Sequence, residues 1–503
     1  MLTSSLSGCF GNDDSTSTPS SETSNVVPIV WGENVFMPRA EECVDANNGQ
    51  EAGYETFAVG YEPSLAITDD GSMFITAHKD LRWGGRTNPF APLLGGDLGP
   101  WYACSLGDET TWDYWASWFW TSTDNGVSWS HADGFDSTPG NSFGANYAAG
   151  GSECLGDEGD IGVDAENTVY YLDTTLEDNW WHVLNDNGSS LRDSPCTRTN
   201  TVAGDDRPWV TAQADGIVHY LGNSGASPPE CSGDVGRYWY YHSENGGNSF
   251  SQCYAMPGGW TTIAAQKTGP YVFVAQEDAD TASGFVQIRI SDNYGRGTGP
   301  LPSDGSWQDP INLGPRNGNC PEGYPVVAAN NFGTVAVVWS NCPSGGTSAW
   351  QTMFTISYDN GSTWEEAWNI TPFERGLALY PFIAISESNV VSIAFYGLDL
   401  DQGGSTDGYT AGKKWFLYGG ALQTPMQNDT FSFTRADPLP LHTVTDAEAT
   451  SGDTHPLHDF FETVISPDGS WMGIAYQVNI GQHPFEEGEE QRYIKFVSGV
   501  FEF

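Results

Sequence analysis

Ser122-Thr123-Asp124-Asn125-Gly126-Val127-Ser128-Trp129 and Ser357-Tyr358-Asp359-Asn360-Gly361-Ser362-Thr363-Trp364 share one spacing, Ser-x-Asp-x-Gly-x-Ser/Thr-Trp. A third copy, Ser243-Glu244-Asn245-Gly246-Gly247-Asn248-Ser249-Phe250, carries Asn where the others carry Asp. Looser echoes stand at Ser291-Asp292-Asn293-Tyr294-Gly295 and Ser466-Pro467-Asp468-Gly469-Ser470-Trp471. The pattern is that of a tight turn. A short carboxylate or amide accepts backbone N–H groups within the turn, and glycine supplies the left-handed φ that a β-carbon opposes. The hydroxyl residues satisfy the remaining turn groups, and the terminal aromatic packs inward. Asp124, Asn245 and Asp359 therefore read as structural turn residues.

A second phrase recurs beside the turns. It is a short alternating strand, a Gly- or Asn-containing turn, and a second strand rich in Val, Ile and aromatics. Instances run from Pro63 to Thr76, Asp160 to Leu172, Arg207 to Tyr220, Trp260 to Val274, Tyr324 to Trp339, Tyr380 to Phe395 and Phe461 to Tyr476. Period-2 alternation bounded by turn signals predicts strands throughout. Repetition of one such unit predicts an all-β fold, a single β-propeller of four-stranded blades. No blade covers both of its faces alone, so the ring must close. Seven units predict seven blades, with six as the alternative if one unit is an insertion. The C-terminal Tyr493 to Phe503 is expected in the closing blade, completed by a strand from the Val26 to Met37 region.

The Ser-x-Asp-x-Gly-x-Ser/Thr-Trp boxes resemble the Asp-box (BNR) repeats of the sialidase superfamily, from about residue 55 to the end of the chain. Sialidases of this superfamily have six blades and clamp a substrate carboxylate with three arginines. Their first motif, an aromatic-Arg-Ile-Pro followed by Asp-x-Arg, compares with Tyr61-Glu62-Pro63 and Asp80-Leu81-Arg82 here. The resemblance implies Asp80 as acid/base and Arg82 as a ligand contact. It departs at Glu62, which stands where the first carboxylate-binding Arg belongs and reverses the sign of that contact. A Tyr nucleophile is a family feature, for which Tyr380 and Tyr324 are the candidates.

In a propeller, residues just before each innermost strand reach the rim of the central channel. Unit by unit these are Glu62; Glu158 and Asp160; Asp206 and Arg207; Trp260; Glu322 with Tyr324; Tyr380; and His458 with Asp459. Asp80, Asp206, Glu62 and Tyr380 are the catalytic candidates. Arg82, Arg207, Glu158, Asp160, Trp260, Tyr324, His458 and Asp459 are the ligand-binding ones. Carboxylates bond sugar hydroxyls while aromatic rings stack on the apolar face of a sugar, and paired acids suit hydrolysis. Each of these residues has a plain structural reading too, as a group that ties down a strand opening. Around Thr87 to Trp120, the residues Trp101, Tyr102, Trp112, Tyr114, Trp115 and Trp118 form an aromatic-rich insertion. It is either a stacking wall over the mouth or blade core.

The chain has 503 residues, 65 Asp plus Glu against 18 Lys plus Arg, and a formal net charge of −47. With so few cations it has no basic face that could neutralise several phosphates, so nucleic acid is excluded as a partner. No apolar run reaches the roughly 18 residues of a spanning helix. Residues 1–30 read as a processing remnant and spacer, and 31–503 as the propeller. Leu6-Ser7-Gly8-Cys9 resembles a lipobox, with Cys9 as the lipidated residue. The Ser/Thr-rich segment after it reads as a disordered tether. The expectation is an extracellular protein, secreted or lipid-anchored to the cell surface. Beyond Cys9, eight cysteines remain, none at zinc spacing. They predict disulfides in an oxidising compartment, with Cys231–Cys253 and Cys320–Cys342 as the best pairs. No cofactor is expected. Asp399, Asp401 and Asp407 are weak calcium candidates, since oxygen donors alternate around glycines there.

Three functions follow: a sialidase-like glycoside hydrolase or lyase, a non-catalytic propeller binding glycans or glycoproteins, and a structural surface protein. A convergent acid pair at the mouth discriminates the first from the others.

Overall fold

The computed structural model describes residues 25–38, 58, 60–79, 117–131, 158–174, 179–185, 187–188, 190–191, 197–198, 205–224, 238–251, 254–256, 258–278, 284–296, 307–316, 324–341, 351–371, 378–398, 410–451, 457, 460–482 and 490–503. All nine cysteines lie outside these residues, as do the calcium candidates Asp399, Asp401 and Asp407, the acid Asp80, and Arg82, Glu322, His458 and Asp459.

The strands form seven antiparallel sheets; in five of them the strands follow sequence order from the axis outward, and in the sixth and seventh the outer strand comes from the N-terminal segment. Blade 1 holds Gly60–Ile67, Met73–Lys79, Trp118–Ser122 and Ser130–His131. The innermost strands of blades 2 to 5 are Glu158–Val163, Asp205–Gln213, Thr261–Ala265 and Val326–Ala329. Those of blades 6 and 7 are Ala378–Ile385 and Glu462–Ile465. Each repeated phrase in the sequence is thus the inner hairpin of one blade. Helix is almost absent; the described residues include one short helix, Asp446–Ser451.

Innermost strands expose N–H groups toward their neighbours, and side chains from the adjoining blade take them up. Val210 N–H donates to Asp160, Leu65 N–H to Glu462, and Val327 N–H to Thr262 Oγ1. These bonds satisfy backbone donors that would otherwise be buried without partners.

The three Ser-x-Asp/Asn-x-Gly turns join the third and fourth strands of blades 1, 3 and 5. Asp124 Oδ1 accepts the Ser128 N–H at 2.9 Å, and Ser122 Oγ accepts the Gly126 N–H at 3.0 Å. Asp359 and Asn245 repeat the arrangement. Each terminal aromatic packs on the preceding blade: Trp129 on Phe496, with ring centroids 5.1 Å apart, and Phe250 on Trp181 at 4.7 Å. The echo at Ser291 to Gly295 also follows a third strand, whereas Ser466 to Trp471 turns between the first and second strands of blade 7. Gly126 sits at φ +78°, and a β-carbon there would collide with the Phe496 ring. Gly126→Ala is expected to lower stability by about 2–4 kcal/mol, combining left-handed strain with overpacking. Urea denaturation checks it; a loss below about 0.5 kcal/mol contradicts the tight fit.

Closure uses the N-terminal segment twice. Val26–Val27 pairs with Lys414–Gln423 as the outer strand of blade 6. Ile29–Trp31 pairs with Glu490–Phe501 as the outer strand of blade 7. Pro28, which has no N–H to donate, stands at the crossing. The Trp31 indole lies over Gly419 and Gly499, one from each blade, where added β-carbons would approach it to 2.5 and 2.7 Å. Beneath it, Asp437 accepts the Tyr476 hydroxyl at 2.7 Å and the Lys495 ammonium at 2.5 Å, while Asn34 Nδ2 donates to Tyr476 Oη at 2.9 Å. This buried polar group ties the N-terminal segment to blade 7 and to the outer loop of blade 6.

The channel is not open from end to end. Trp209 of blade 3 touches Tyr324 ahead of blade 5, Phe382 of blade 6 and Phe460 ahead of blade 7, at centroid distances of 5.2, 6.2 and 5.2 Å. Blade 3 adjoins none of those three in the ring, so these rings can meet only on the axis. Past this aromatic plug, toward the face that carries the Ser-x-Asp/Asn-x-Gly turns, lies a cavity of about 660 Å³. All seven inner strands line it, mostly with Ala, Ile and Val.

Candidate functional site

The opposite mouth lies at the N-terminal ends of the inner strands. Three of these strands begin with a bulge at an X-Pro step, where the register shifts between Tyr61 and Ser64, Asp206 and Trp209, and Leu379 and Phe382. The residue before each proline is left-handed: Glu62 at φ 52°, Arg207 at 53° and Tyr380 at 51°. None is glycine, and proline disfavours helical backbone at the residue preceding it. Such strain costs on the order of 1–3 kcal/mol per residue and clusters at functional sites. Here it occurs at three equivalent positions around one opening.

Glu62 and Glu158 converge with His78, which lies at the end of the second strand of blade 1. His78 Nε2 is 3.2 Å from Glu62 Oε2 and 3.7 Å from Glu158 Oε2. The three donor atoms lie within 4.8 Å of one another, and all three residues are buried. Their positions are fixed from outside. Tyr61 stacks on the His78 ring at 4.4 Å, with planes 11° apart. The Arg207 backbone N–H donates to Glu158 Oε1 at 2.8 Å, which turns Oε2 toward the histidine. Glu62 N–H donates to Gln477 Oε1 at 3.2 Å. Arg492 lies over Tyr61 at 5.3 Å, and Arg207 over Trp260 at 4.8 Å.

Of the residues nominated from sequence, Glu62, Glu158, Arg207 and Trp260 meet at this mouth. Asp206 pairs with Asn223 at the start of its strand; its side chain is outside the described residues. Tyr324 is buried between Trp209 and Trp260. Tyr380 is buried beside Tyr396, itself stacked on Phe461; burial first, then the nearby Glu62 carboxylate, holds the Tyr396 phenol above its ordinary range. His78, Arg492, Ser64 and Glu462 were not among the nominated residues.

Asp160 lies one layer deeper. Its carboxylate accepts the Ile161 N–H at 2.8 Å, the Val210 N–H and a bond with Ser64 Oγ. Ser64 Oγ is also 2.9 Å from Glu462 Oε2. A serine hydroxyl has one proton, so two short contacts to carboxyl oxygens require that one of the acids bring another. Burial pushes Asp160 up to about 6, against the bonds from Ser64, Val210 and Ile161. Burial and the Asp160 charge push Glu462 well above the carboxylate range. Both folded-state values exceed the unfolded ones, so the folded state holds more protons. This pair therefore favours folding most below about pH 4; the Asp160 part of that contribution is lost as pH rises through about 6, and the Glu462 part at higher pH still. Glu462→Gln is expected to remove much of this dependence and to raise stability at pH 8. Melting curves between pH 4 and 8 check it; an unchanged slope contradicts the shared proton.

No protein-family model matches the sequence, and no curated protein matches it. Among solved structures, the chain is similar to a mutant of the α-L-arabinofuranosidase Arb93A from Fusarium graminearum in complex with an iminosugar inhibitor, at 10% identity and a TM-score of 0.41, covering 94% of this chain and 98% of that one. A protein of unknown function from Dyadobacter fermentans gives 12% identity and a TM-score of 0.44 over 94% and 99% of the two chains. A PL25 ulvan lyase gives 9% identity and 0.44 over 87% and 93%. Glycoside hydrolases and a polysaccharide lyase thus stand among the structural neighbours of this seven-bladed propeller, and at these values the likeness concerns architecture alone.

Proposed function

We propose that the chain is a glycan-cleaving enzyme acting at the mouth that holds Glu62, His78, Glu158 and Arg207. One observation carries the reading: two carboxylates and an imidazole are drawn together between blades 1 and 2, beside strained X-Pro bulges, and braced by partners in blades 3 and 7. Hydrolysis needs one acid to protonate the leaving oxygen and one base to take a proton from water. Glu62 and Glu158 supply the pair: at close spacing one serves in turn as acid and as base, and the other attacks as nucleophile to form a glycosyl ester that water then cleaves, with His78 between them as proton holder. Their oxygens lie within 4.8 Å, which is on the side of the shorter carboxylate spacing of retaining glycosidases rather than the longer one of inverting enzymes. Arg207 and Arg492 supply positive charge for an acidic sugar, and Trp260 a stacking face. The sialidase resemblance enters only through the turns, because Glu62 opposes a sialate carboxylate.

The test is a screen of the full chain against neutral and uronate-containing polysaccharides, reading new reducing ends and unsaturated products, with parallel binding measurements. Cleavage of at least one class, lost in the Glu62→Gln/Glu158→Gln double variant, is expected. Binding without cleavage across the panel, or cleavage that survives in the double variant, overturns the proposal.

A further inference from the structure

The spacing within the Glu62–His78–Glu158 cluster is odd for hydrogen bonding. A charge-assisted N–H···O bond closes to about 2.7–2.9 Å, yet His78 Nε2 stands 3.2 and 3.7 Å from the two carboxylate oxygens. Donors around a single small cation are spaced differently. With metal–ligand bonds of about 2.0–2.2 Å, neighbouring ligand atoms of a tetrahedral site lie roughly 3.3–3.6 Å apart; the two nitrogen–oxygen distances bracket this range, and all three atoms lie within 4.8 Å of one another. We infer that Glu62 Oε2, His78 Nε2 and Glu158 Oε2 form a binding site for one divalent transition-metal ion, with Zn²⁺ the best match to two carboxylates and an imidazole.

The surroundings fit that assignment. Metal sites hold their ligands through outer partners that fix orientation. Here the Arg207 N–H holds Glu158 Oε1 and leaves Oε2 for the ion. Tyr61 sets the plane of the imidazole by stacking. Glu62 is aimed by its left-handed backbone and by the bond from its N–H to Gln477. Among the described residues three protein donors meet here, which leaves a coordination position of a tetrahedral site for a further ligand. Two carboxylates with a neutral imidazole balance a divalent charge, in a chain whose net charge of −47 draws cations toward it. This inference concerns the ion and holds whichever saccharide the mouth accepts; with the ion bound, Glu62 Oε2 and Glu158 Oε2 are its ligands, and the proton transfers assigned to them above belong to the ion-free site.

The experiment uses the purified full chain, stripped with a chelator and dialysed. Zn²⁺, Mn²⁺ and Ca²⁺ are titrated separately by calorimetry in physiological salt, and bound metal is counted by elemental analysis. Co²⁺ serves as a spectroscopic probe. One equivalent of Zn²⁺, bound at least about 100-fold more weakly in both His78→Gln and Glu158→Gln, is expected, as is a d–d spectrum of low coordination number with Co²⁺. Tyr61→Leu, which removes only the stacking partner, is expected to weaken Zn²⁺ about tenfold. Glu387→Gln, at the other end of the channel, serves as the control and leaves binding unchanged. Absence of stoichiometric Zn²⁺ overturns the inference, and so does binding that all four variants share, which would be diffuse attraction to an acidic surface. Metal binding is read without any saccharide, so failure of the cleavage screen leaves it standing. Cleavage that persists in the stripped protein separates the two claims in the other direction.

Discussion

Glu158→Gln is expected to lower kcat for glycan cleavage by about 10²–10⁴-fold, the usual contribution of a positioned acid or base, while melting stays within a few degrees of the parent. The two readouts separate because of what glutamine preserves. Its amide oxygen can still accept the Arg207 N–H that Glu158 Oε1 accepts at 2.8 Å, so the bulge at Arg207 keeps its anchor. What is lost is the ionisable oxygen facing His78. A purely architectural Glu158 would show the reverse, a lowered melting temperature with kcat per folded molecule unchanged. That outcome would remove Glu158 from the reaction and leave the mouth without its acid–base pair.

Lys495→Met is expected to destabilise the protein by about 3–5 kcal/mol, because breaking one half of a buried ion pair strands the other charge. Lys495 and Asp437 side chains are 4% and 1% exposed, so water cannot replace the lost partner. Asp437→Asn in the same chain should recover part of the loss, since the neutral amide oxygen can still accept the Tyr476 hydroxyl. Denaturant melts of the two single variants and the double variant form the cycle. Additive losses would mean that the two charges do not interact, and that Tyr476 and Asn34 alone hold the blade 6–blade 7 seam.

The blades were legible because their signals are local. Each inner hairpin needs alternation, a turn and an X-Pro or polar opening, all within about fifteen residues, and Pro63 to Thr76 or Arg207 to Tyr220 carry these in contiguous sequence. The use of Val26–Trp31 for closure was also readable, but its division between two blades was not. That depends on Gly419 and Gly499 leaving room for one indole, which no local pattern announces. At the site, Glu62, Glu158 and Arg207 could be found because they stand at strand openings. His78 could not be found that way, since it ends a second strand and reads as one polar residue in Met73–Lys79. A signal existed: folding the hairpin about its turn sets His78 opposite Tyr61, beside Glu62. Glu462 and Arg492 were invisible for the opposite reason, being brought to blades 1 and 2 only when the circle shuts. The resemblance directed attention to Asp80 and Arg82, just beyond that strand and outside the described residues.

The two-blade seam has a consequence for biogenesis. Residues 26–31 leave the ribosome long before their partners at 414–423 and 490–501. Until then the early segment can only wait, with its hydrogen-bonding edge unclaimed and, in a crowded compartment, open to strands of other nascent copies. Contacts so distant in sequence are slow to form, so the yield of active protein should depend less on elongation speed than on what shields that waiting edge.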